Sequence, residues 1–357
     1  MDTGIRVLMI TSEWPTRNAP SIAPFIVRQV EFLRRAGVQV EVFHFHGAKN
    51  PLNYARAWFG ARKKLRQESY DLVHAQWGQS GLLAMPKRIP LLITFRGDDV
   101  EGMIGSNGKY RLAGYVLRKI SRWLARRADA LIVVSAHMKR RLSPLSVHVI
   151  PSGLDLDLFK IIPQQQARQR LGLPLDKRLV LFVGNPGDAR KRYTLSQKAV
   201  ALLDPTLTAE LVVAFRVPHS NIPLYMNACD ALIFTSLLEG SPNAVKEALA
   251  SNLPVVSVAV GDVPERLRGL DGCVVCADDR PETIAFELSR VLQRPERTNS
   301  RDGVLDLDER VLTQRLIGIY EAILRKAPKC IQVHADSVEV ENGPQYPNSQ
   351  VGDISRI

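Results

Sequence analysis

Two glutamates eight residues apart, Glu239 and Glu247, flank a Ser-Pro step in the segment LLEGSPNAVKEALASNLPVVS, residues 237–257. Carboxylates accept hydrogen bonds from vicinal hydroxyl groups, which riboses and hexoses present. Ser241 suits the N-cap of a helix, and this would leave the NH groups of residues 243–245 free to bind an anion. The segment therefore predicts a site for a ligand with sugar and phosphate groups, although glutamates at this spacing are also typical of a solvated loop and helix.

A second loop that follows a predicted strand carries groups able to bind phosphate. The segment VGNPGDARKRY, residues 183–193, contains Gly184, Asn185, Arg190 and Lys191. Basic side chains at this point would neutralise a diphosphate through charge-assisted hydrogen bonds.

The first half of the chain contributes two more candidates. Arg96 lies in TFRGDD directly after a predicted strand, and His74 ends another strand in HAQWGQSG. His74 could contact an acceptor, whereas packing beside Trp77 is the competing interpretation of the same histidine. Both are predicted to face the cleft that also contains the two glutamates.

Short apolar runs alternate with helical patterns along the chain. The predicted strands are IRVLMI, VQVEVFHF, DLVHAQW, PLLITF, ADALIVVS and SVHVIPSG in the first half, and RLVLFVG, AELVVAF, DALIFTS, LPVVSVAV and GCVVCA in the second. Between the first two strands, Phe25, Ile26, Val30 and Leu33 share one helical face that ends at Gly37. This pattern predicts an α/β fold of two Rossmann-like, doubly wound domains.

A hinge is expected in IPSGLDLDLFK, where Pro151 and Gly153 interrupt the pattern. Ligands of open α/β sheets bind at the carboxyl ends of the strands, so two such domains would share one cleft. The predicted segments are an acceptor-side domain at 1–153, a nucleotide-sugar domain at 154–305, a C-terminal helix at 306–327 and a mobile tail at 328–357.

The composition, with 45% hydrophobic residues in 357, is that of an ordinary globular protein. No run reaches the ~18 uncharged apolar residues of a spanning helix, and the start MDTGIRVLMITSEWP lacks a small-residue cleavage site. Cys273 and Cys276 lie in a predicted strand, and the chain's four cysteines fit a reducing compartment better than a disulfide framework or a zinc site. We therefore expect a cytoplasmic protein.

Metal binding is not expected. The two D-x-D pairs, Asp155 with Asp157 and Asp306 with Asp308, lie in the hinge segment and at the start of the last helix. Neither pair follows a strand that faces the cleft, so basic groups and helix ends are the better candidates for holding a diphosphate.

Basic residues are concentrated in the first half. Residues 1–150 carry 24 Lys and Arg against 10 Asp and Glu, whereas the remainder carries 24 against 26. The segment GKYRLAGYVLRKISRWLARRADA, residues 108–130, predicts a helix that packs an apolar face on the sheet and leaves basic residues outside, and ARAWFGARKKLRQ, residues 55–67, adds more basic residues. The predicted apolar face consists of Leu112, Val116, Leu117, Ile120, Trp123 and Leu124. The asymmetry indicates an anionic partner, either a membrane surface or a nucleic acid. Since no recognisable nucleic-acid motif is present, an anionic membrane surface is the favoured partner.

The segment EGSPNAVKEALASNLPVVS resembles the nucleotide-sugar signature of glycosyltransferase family 4. DLVHAQW, VIPSGLDLDLF, LYMNACDALIFTS and GDVPE resemble further segments of that family, and the likeness covers nearly all of the chain ahead of the predicted tail. It implies the GT-B fold, in which two Rossmann-like domains face each other across a cleft. The chain is most similar to the subgroup of teichuronic acid and other cell-surface polysaccharide transferases.

The resemblance also implies roles for individual residues. Glu247 matches the glutamate that holds the nucleotide ribose, and Glu239 matches the one that contacts the donor sugar near the NH groups of Gly240 and its neighbours. Lys191, with Arg190 beside it, matches the basic group that neutralises the diphosphate. The predicted catalytic set is Glu239, Lys191 and Arg96, and the predicted substrate-binding set is Glu247, Gly240, Ser241, Asn243, Ala244, Arg190, Gly184, Asn185 and His74.

Two positions depart from the family pattern. Asn185 follows Gly184 where an arginine is usual, so one phosphate contact is either missing or supplied by Arg190 or Arg192. Arg96 stands where many members have a histidine that contacts the donor sugar, and an arginine cannot act as a base near neutral pH. Arg96 would then grip a carboxylate on the donor, as in a uronic acid, or pair with Asp98 or Asp99.

These observations predict a retaining transferase that moves a hexosyl unit from a nucleotide diphosphate sugar, preferably a UDP-sugar, to a lipid-linked or cell-surface polysaccharide precursor. Retention is implied by the family, and no cofactor is expected. The protein would work in the cytoplasm, peripherally on the inner face of the cell membrane. The alternatives are a GT-B epimerase or phosphorylase, and a nucleic-acid-binding protein without enzymatic activity.

Overall fold

Two parallel β-sheets form the framework of the protein. The computed structural model describes residues 3–17, 22–47, 50–105, 109–294 and 296–326. The predicted mobile tail at 328–357 lies outside these residues.

The first sheet has the strand order β2-β1-β3-β4-β5-β6, with every pair parallel. Its central strands are buried on both faces, which explains their continuous apolar runs. The strands are β1 Arg6–Thr11, β2 Gln39–His44, β3 Leu72–Gln76, β4 Leu91–Phe95, β5 Ala130–Val133 and β6 His148–Val149.

The second sheet has the order β11-β10-β9-β7-β8 and is also parallel throughout. All the predicted strands are present, so the prediction of two doubly wound sheets is confirmed. The predicted boundary at residue 153 lies between β6 and β7. The strands are β7 Arg178–Val183, β8 Ala209–Ala214, β9 Ala231–Phe234, β10 Val255–Ser257 and β11 Val274–Val275.

Helices connect successive strands, as right-handed parallel crossovers require. Short 3₁₀ segments add to them, among them Gly78–Ala84, Ala136–Met138, Ala189–Lys191 and His219–Asn221. The α-helices are α1 Pro24–Arg35, α2 Pro51–Gln67, α3 Asp98–Glu101, α4 Leu112–Ala125, α5 Lys139–Leu142, α6 Gln164–Leu171, α7 Tyr193–Ala201, α8 Ile222–Ala228, α9 Asn243–Ala250, α10 Val263–Leu267, α11 Pro281–Leu292 and α12 Glu309–Lys326.

The first sheet separates two helix layers. On one face, α1 and α12 pack on Val7, Met9 and Leu72. On the other face, α2, α4 and the 3₁₀ segment Gly78–Ala84 pack on Leu8, Val73 and neighbouring residues. Helix α12, although it follows the second sheet in the sequence, therefore covers one face of the first sheet.

The chain crosses between the two sheets twice, and the crossings are hydrogen-bonded to each other. The amide of Leu154 donates to the carbonyl of Leu307 at 2.7 Å, and the amide of Glu309 donates to the carbonyl of Leu154 at 2.8 Å. We call residues 151–154 and 307–309 the crossing. Its first segment, residues 151–154, lies where the hinge was predicted.

The prediction for helix α4 holds only in part, since Leu124 of the predicted apolar face is buried and Ile120 packs against the core. Leu112, Val116 and Trp123, which were expected to face the sheet, are exposed by 83%, 52% and 41%. The helix instead packs through the small residues Gly114 and Ser121, together with Leu124 and Ala125. Close approach is the cause: a Cβ at Gly78, in the neighbouring 3₁₀ segment, would lie only 2.4 Å from the Ser121 hydroxyl oxygen. Apolar side chains of α4 thus remain on the surface beside its basic residues.

Candidate functional site

The loops at the carboxyl ends of the two sheets touch at Gly240. A Cβ at this position would lie 2.6 Å from the carbonyl oxygen of Arg96 and 3.1 Å from a methyl group of Val134. Gly97, at φ 143°, approaches the same residue from the first half. A Cβ added to Gly97 would lie 3.5 Å from the amide nitrogen of Gly240. Glycine at position 240 therefore allows the two halves to meet where the predicted site lies.

Lys191 and Glu239, both predicted as catalytic, form an ion pair. The distance between Lys191 Nζ and Glu239 Oε1 is 2.6 Å, and the two side chains are 20% and 15% exposed. The stem of Lys191 lies against Gly184, since a Cβ there would be 3.5 Å from three of its carbons. The structure thus brings together the loops after β7 and β9 and keeps the ammonium group accessible to a ligand.

Arg190 links the same site to the first half. Its guanidinium lies 3.2 Å from Asp188 and 3.5 Å from Asp98, which belongs to α3. Arg192 does not share this position, because its guanidinium donates to the carbonyl of Thr235 and to Asp279. Arg190 is therefore the better of the two predicted substitutes for the missing phosphate contact.

Asn185 has a local role in the structure. Its side-chain oxygen accepts the amide of Gly187 at 2.9 Å and so closes the turn that carries Arg190 and Lys191. Many family members have an arginine at this position. In this chain Asn185 instead stabilises the turn of the loop.

Glu247 lies one turn after the start of α9 and is 4% exposed. His219, in the loop after β8, donates from Nε2 to Glu247 Oε1 at 2.8 Å. Burial raises the pKa of the carboxyl group, but the hydrogen bond and charge of His219, with Arg28 and Lys246, outweigh burial and hold the pKa below its usual range. Glu247 is consequently a carboxylate at neutral pH.

A cavity of about 370 Å³ lies beside this pair. The first half contributes Pro15 and residues of α1, including Arg28, and the second half contributes Asp155, Leu158 and residues 218–220. A cavity of this size lies in the range of small-molecule sites. Its wall includes His219, the residue that donates to Glu247.

The N-terminus of α9 differs in one detail from the prediction. The helix begins at Asn243 with Pro242 at its N-cap, and Ser241 is not the cap: its hydroxyl donates to Asp262 at 2.8 Å. Within the described residues, the amides of Asn243, Ala244 and Val245 have no hydrogen-bond acceptor. The predicted anion-binding NH groups are therefore free, although the proline rather than the serine precedes them.

Arg96 is fixed by the protein in a way that neither sequence-based interpretation anticipated. Its Nε and Nη2 donate to the side-chain oxygen of Gln76 at 2.9 and 2.6 Å, and Nη1 donates to the hydroxyl of Ser152 at 2.8 Å. The guanidinium also lies over the ring of Phe25, 4.6 Å from its centroid. Burial lowers the pKa of Arg96 to about 10, so it stays charged. Of its five N–H groups, three are used and two remain for a ligand.

Asp99 supports the loop rather than the guanidinium. Its carboxylate accepts the amides of Gly78, Arg96 and Gly97 at 2.9, 3.1 and 3.0 Å. Burial raises the pKa of Asp99 to about 6, although these hydrogen bonds oppose the shift. The expected alternative, an Arg96 guanidinium bound to Asp98 or Asp99, is replaced by its contacts with Gln76 and Ser152.

His74 is a core histidine, which corrects the prediction that it binds substrate. The residue is 0% exposed, and its two ring nitrogens lie 2.8 Å from the hydroxyl groups of Tyr320 and Thr94. Burial lowers its pKa to about 3. Both nitrogens are thus engaged inside the protein, away from any acceptor.

Three of the four aspartates in the two D-x-D pairs, Asp155, Asp157 and Asp308, have structural partners. Asp155 Oδ1 accepts the amides of Asp157 and Leu158 at 3.0 Å, and Asp308 binds Arg310. Cys276 is buried and Cys273 is partly buried in the second core, where burial raises the pKa of each thiol to about 11. These groups serve the fold.

Sequence reasoning did not select Gln76, His219 or Lys246. Gln76 ends β3, and His219 follows β8, so the rule that places ligands at carboxyl ends of strands could have indicated both. Lys246 had no such signal, because a lysine within a helix is normally solvated. Its burial results from the position of α9 against the crossing.

Comparisons with known proteins give matches over both halves of the chain. Residues 2–158 match the family model described as Glycosyltransferase Family 4, and residues 166–294 match the model Glycosyl transferases group 1. A teichuronic acid biosynthesis glycosyltransferase of Bacillus subtilis is 25% identical over 327 residues, which covers 72% of this chain and 82% of the relative.

Solved structures have the same fold. Sucrose-phosphate synthase from Thermosynechococcus elongatus superposes with a TM-score of 0.73 at 18% identity, covering 90% of this chain and 100% of that one. The Anabaena protein HepE, crystallised with UDP and glucose, gives 0.67 at 17% identity, covering 89% and 100%. The architecture of two facing Rossmann-like domains, the GT-B fold, is thereby confirmed.

Proposed function

The chain belongs to glycosyltransferase family 4, and we propose that it transfers a hexosyl unit from a nucleotide diphosphate sugar to a lipid-linked or cell-surface polysaccharide precursor, with retention. One observation carries the proposal: along residues 239–247, Glu239, which pairs with Lys191, precedes the free amides of α9, and the buried carboxylate of Glu247 follows them. A donor with sugar, diphosphate and ribose in a row matches that order of groups.

Each part of the donor has a partner in this arrangement. Glu247 accepts hydrogen bonds from the ribose hydroxyls, and the cavity beside His219 receives the base. The diphosphate lies between Lys191, Arg190 and the amides of α9. Glu239 and the amide of Gly240 then face the hexose, whose anomeric carbon is directed toward the first half.

The reaction breaks the bond between the anomeric carbon and the diphosphate and forms one to an acceptor hydroxyl oxygen, whose proton passes to an oxygen of the leaving diphosphate. Negative charge grows on the leaving diphosphate, and donors already in place lower the barrier. Lys191, Arg190 and the helix amides provide them, so the proposal requires no cofactor. Arg96 extends two free N–H groups from the acceptor side and contacts the hexose.

UDP is the nucleotide that we propose. HepE, one of the structural neighbours, was crystallised with UDP and glucose, and the similarity to a teichuronic acid enzyme supports a cell-surface precursor as acceptor. A GT-B epimerase remains the alternative, and it differs in releasing UDP and free sugar without any acceptor.

A turnover assay tests this function. Purified protein is incubated with UDP-, GDP- and ADP-hexoses, with and without a membrane lipid extract as acceptor, and free nucleotide and product are measured. We expect UDP release that depends on the extract, and an α-linked product by NMR from an α-linked donor. Release of UDP and free sugar at an equal rate without acceptor would support the epimerase, and absence of turnover with every donor would contradict the proposal.

The acceptor is proposed to be presented at an anionic membrane surface. Helices α2 and α4 lie on the same face of the first sheet, and their outward sides carry the exposed Phe59, Tyr115 and Trp123. We call this surface the cationic face. Its exposed basic residues are Arg56, Lys63, Arg66, Arg111, Lys119, Arg122, Arg126 and Arg127.

Aromatic and basic groups contact each other on this face. Lys119 Nζ lies 4.7 Å from the ring centroid of Tyr115, and the Arg127 guanidinium lies 3.9 Å from that of Trp123. Within the described residues, none of the helices combines the length and apolar character needed to cross a bilayer. Aromatic rings beside cations suit docking at the level of lipid headgroups. Nucleic acid is the less favoured occupant, because exposed Leu112 and Val116 have no role on a phosphate backbone.

Vesicle sedimentation tests the cationic face. Replacing Lys119, Arg122 and Arg126 together by glutamine should weaken binding to anionic vesicles about a hundredfold at low salt, since each basic residue near an anionic surface contributes about 1 kcal/mol. Replacing Lys198, Arg280 and Arg290 of the second half by glutamine is the matched control and should leave binding unchanged. Equal binding to neutral vesicles, or equal loss in both variants, would contradict this docking surface.

A further inference from the structure

Three cations from three different elements converge on the crossing. Lys246 of α9 donates to the carbonyl oxygen of Ser152 at 2.7 Å. Arg96, from the loop after β4, donates to the hydroxyl of the same serine at 2.8 Å. Arg28 of α1 donates to the carbonyl of Gly153. Donor-side and acceptor-side elements therefore meet on two consecutive residues.

The crossing itself is tightly packed. A Cβ at Gly153 would lie 2.4 Å from a carboxylate oxygen of Glu309 and 2.9 Å from its Cα. Glu309, 3% exposed, also lies 3.4 Å from Arg28 Nε. Small displacements of any of these groups must therefore move the others, since a close-packed interior transmits strain.

Lys246 is an unusual member of this cluster because it is 0% exposed. Charged groups surround it on every side: Asp262 and Arg266 at α10, Arg28 on α1, Glu309 on α12 and Glu247 on its own helix. Burial is the largest influence and lowers the pKa of Lys246 to about 7. A buried ammonium group costs stability that an apolar side chain of equal length would not.

We propose that Lys246 is a positioning residue that ties α9 to the crossing through Ser152 and so sets the distance between the Lys191–Glu239 pair and Arg96. Lys246 is directed away from the proposed substrate, since within the described part of the chain its ammonium group donates to the backbone carbonyl of Ser152. Its effect on catalysis rests on the proposed function, whereas its effect on the crossing does not.

The position of α9 explains why its hydrogen bond to Ser152 affects both sides of the site. The same helix presents its free amides and Glu247 to the donor, and Ser152 is also the residue that holds Arg96. Loss of the Lys246 bond would let α9 and the Arg96 loop move independently. A misplacement of about 1 Å can cost a hundredfold in rate without removing any binding group.

Lys246→Met tests the proposal, because methionine keeps the length of the side chain and removes its donor. Lys198→Met, at an exposed position of α7, is the matched control. Hydrogen exchange is measured on peptides covering residues 151–156 and 305–310, whose amides at Leu154 and Glu309 join the two strands of the crossing. We expect faster exchange there in Lys246→Met, and unchanged exchange in the peptides of β1, β3 and β9.

Kinetics separate a positioning role from a binding role. We expect kcat of Lys246→Met to fall at least about tenfold, while the Kd for UDP stays within about threefold of wild type because Glu247 and Lys191 are retained. Lys198→Met should match wild type in both. A normal kcat in a variant with a loosened crossing would overturn the positioning role, as would a fall in UDP affinity as large as the fall in kcat.

Stability measured against pH provides a further check. The pKa of Lys246 is lowered from 10.5 to about 7, so between these values the unfolded chain binds a proton that the folded protein does not. Wild-type stability should therefore rise with pH across this window relative to Lys246→Met, and the difference should be constant below about pH 7. A difference that does not change with pH would show that the ammonium group is solvated, which overturns the proposal.

The outcomes also separate this inference from the proposed function. If wild type binds no nucleotide and turns over no donor, the proposed function fails. The exchange and stability results still show whether Lys246 holds α9 to the crossing. If wild type is active and Lys246→Met exchanges at the crossing like wild type, only the inference fails.

Discussion

Replacing Lys191 by alanine is expected to lower the turnover of the donor about a hundredfold. The ammonium group lies 2.6 Å from Glu239 on a side chain that is 20% exposed, where we propose that the diphosphate acquires charge as it leaves. Removing a pre-placed donor from a developing charge costs about 3 kcal/mol of transition-state stabilisation, which corresponds to two decades in rate. Steady-state UDP release measures the effect.

Two neighbouring variants serve as controls for Lys191→Ala. Lys198→Ala removes an exposed lysine from the same half and should retain wild-type turnover. Arg190→Ala should reduce turnover less than Lys191→Ala, because Arg190 already forms ion pairs with Asp188 and Asp98. Its charge is therefore less available to the diphosphate. If Arg190→Ala proves the more damaging variant, the diphosphate lies one residue earlier in the loop than we propose.

The strands could be predicted because their signal is local. Central strands of a parallel sheet are buried on both faces, so β1, β4 and β7 appear as uninterrupted apolar runs. The loops after these strands then fall on one edge by topology alone. The contact between Lys191 and Glu239, 48 residues apart, follows from that edge because β7 and β9 are neighbours.

Side-chain partners within the site were not predictable from the same signal. Ser241 has the right type and position for an N-cap, but Asp262, from the loop after β10, accepts its hydroxyl. His74 precedes a cleft loop, yet Tyr320 from the last helix occupies one of its nitrogens. In both cases the hydrogen-bond partner is distant in the sequence. The local pattern around Ser241 or His74 therefore cannot predict which residue binds it.

Exposure was mispredicted for part of α4 for a related reason. A pattern of apolar residues on one face normally marks the buried side of a helix. Here small residues, Gly114 and Ser121, allow closer packing on a different side, and Leu112, Val116 and Trp123 are left in contact with solvent. The depth of packing depends on the shape of the neighbouring segment, Gly78–Ala84, as well as on hydrophobicity.

Replacing Glu247 by alanine is expected to weaken UDP binding about a hundredfold. Two hydrogen bonds from ribose hydroxyls to a buried carboxylate contribute about 1.5 kcal/mol each, and His219 holds the carboxylate in place at 2.8 Å. Glu239→Ala is the matched variant in the same segment. It should bind UDP at least as well as wild type, because Lys191 loses its partner and the hexose contact is absent from UDP, but it should lose transfer.

Calorimetric titration of UDP into wild type, Glu239→Ala and Glu247→Ala tests the donor site most directly. The account predicts saturable binding to wild type and Glu239→Ala and about a hundredfold weaker binding to Glu247→Ala, with all three proteins folded by circular dichroism. Equal UDP affinity in wild type and Glu247→Ala, or no UDP binding by wild type, would contradict the assignment of this cleft as a nucleotide-sugar site.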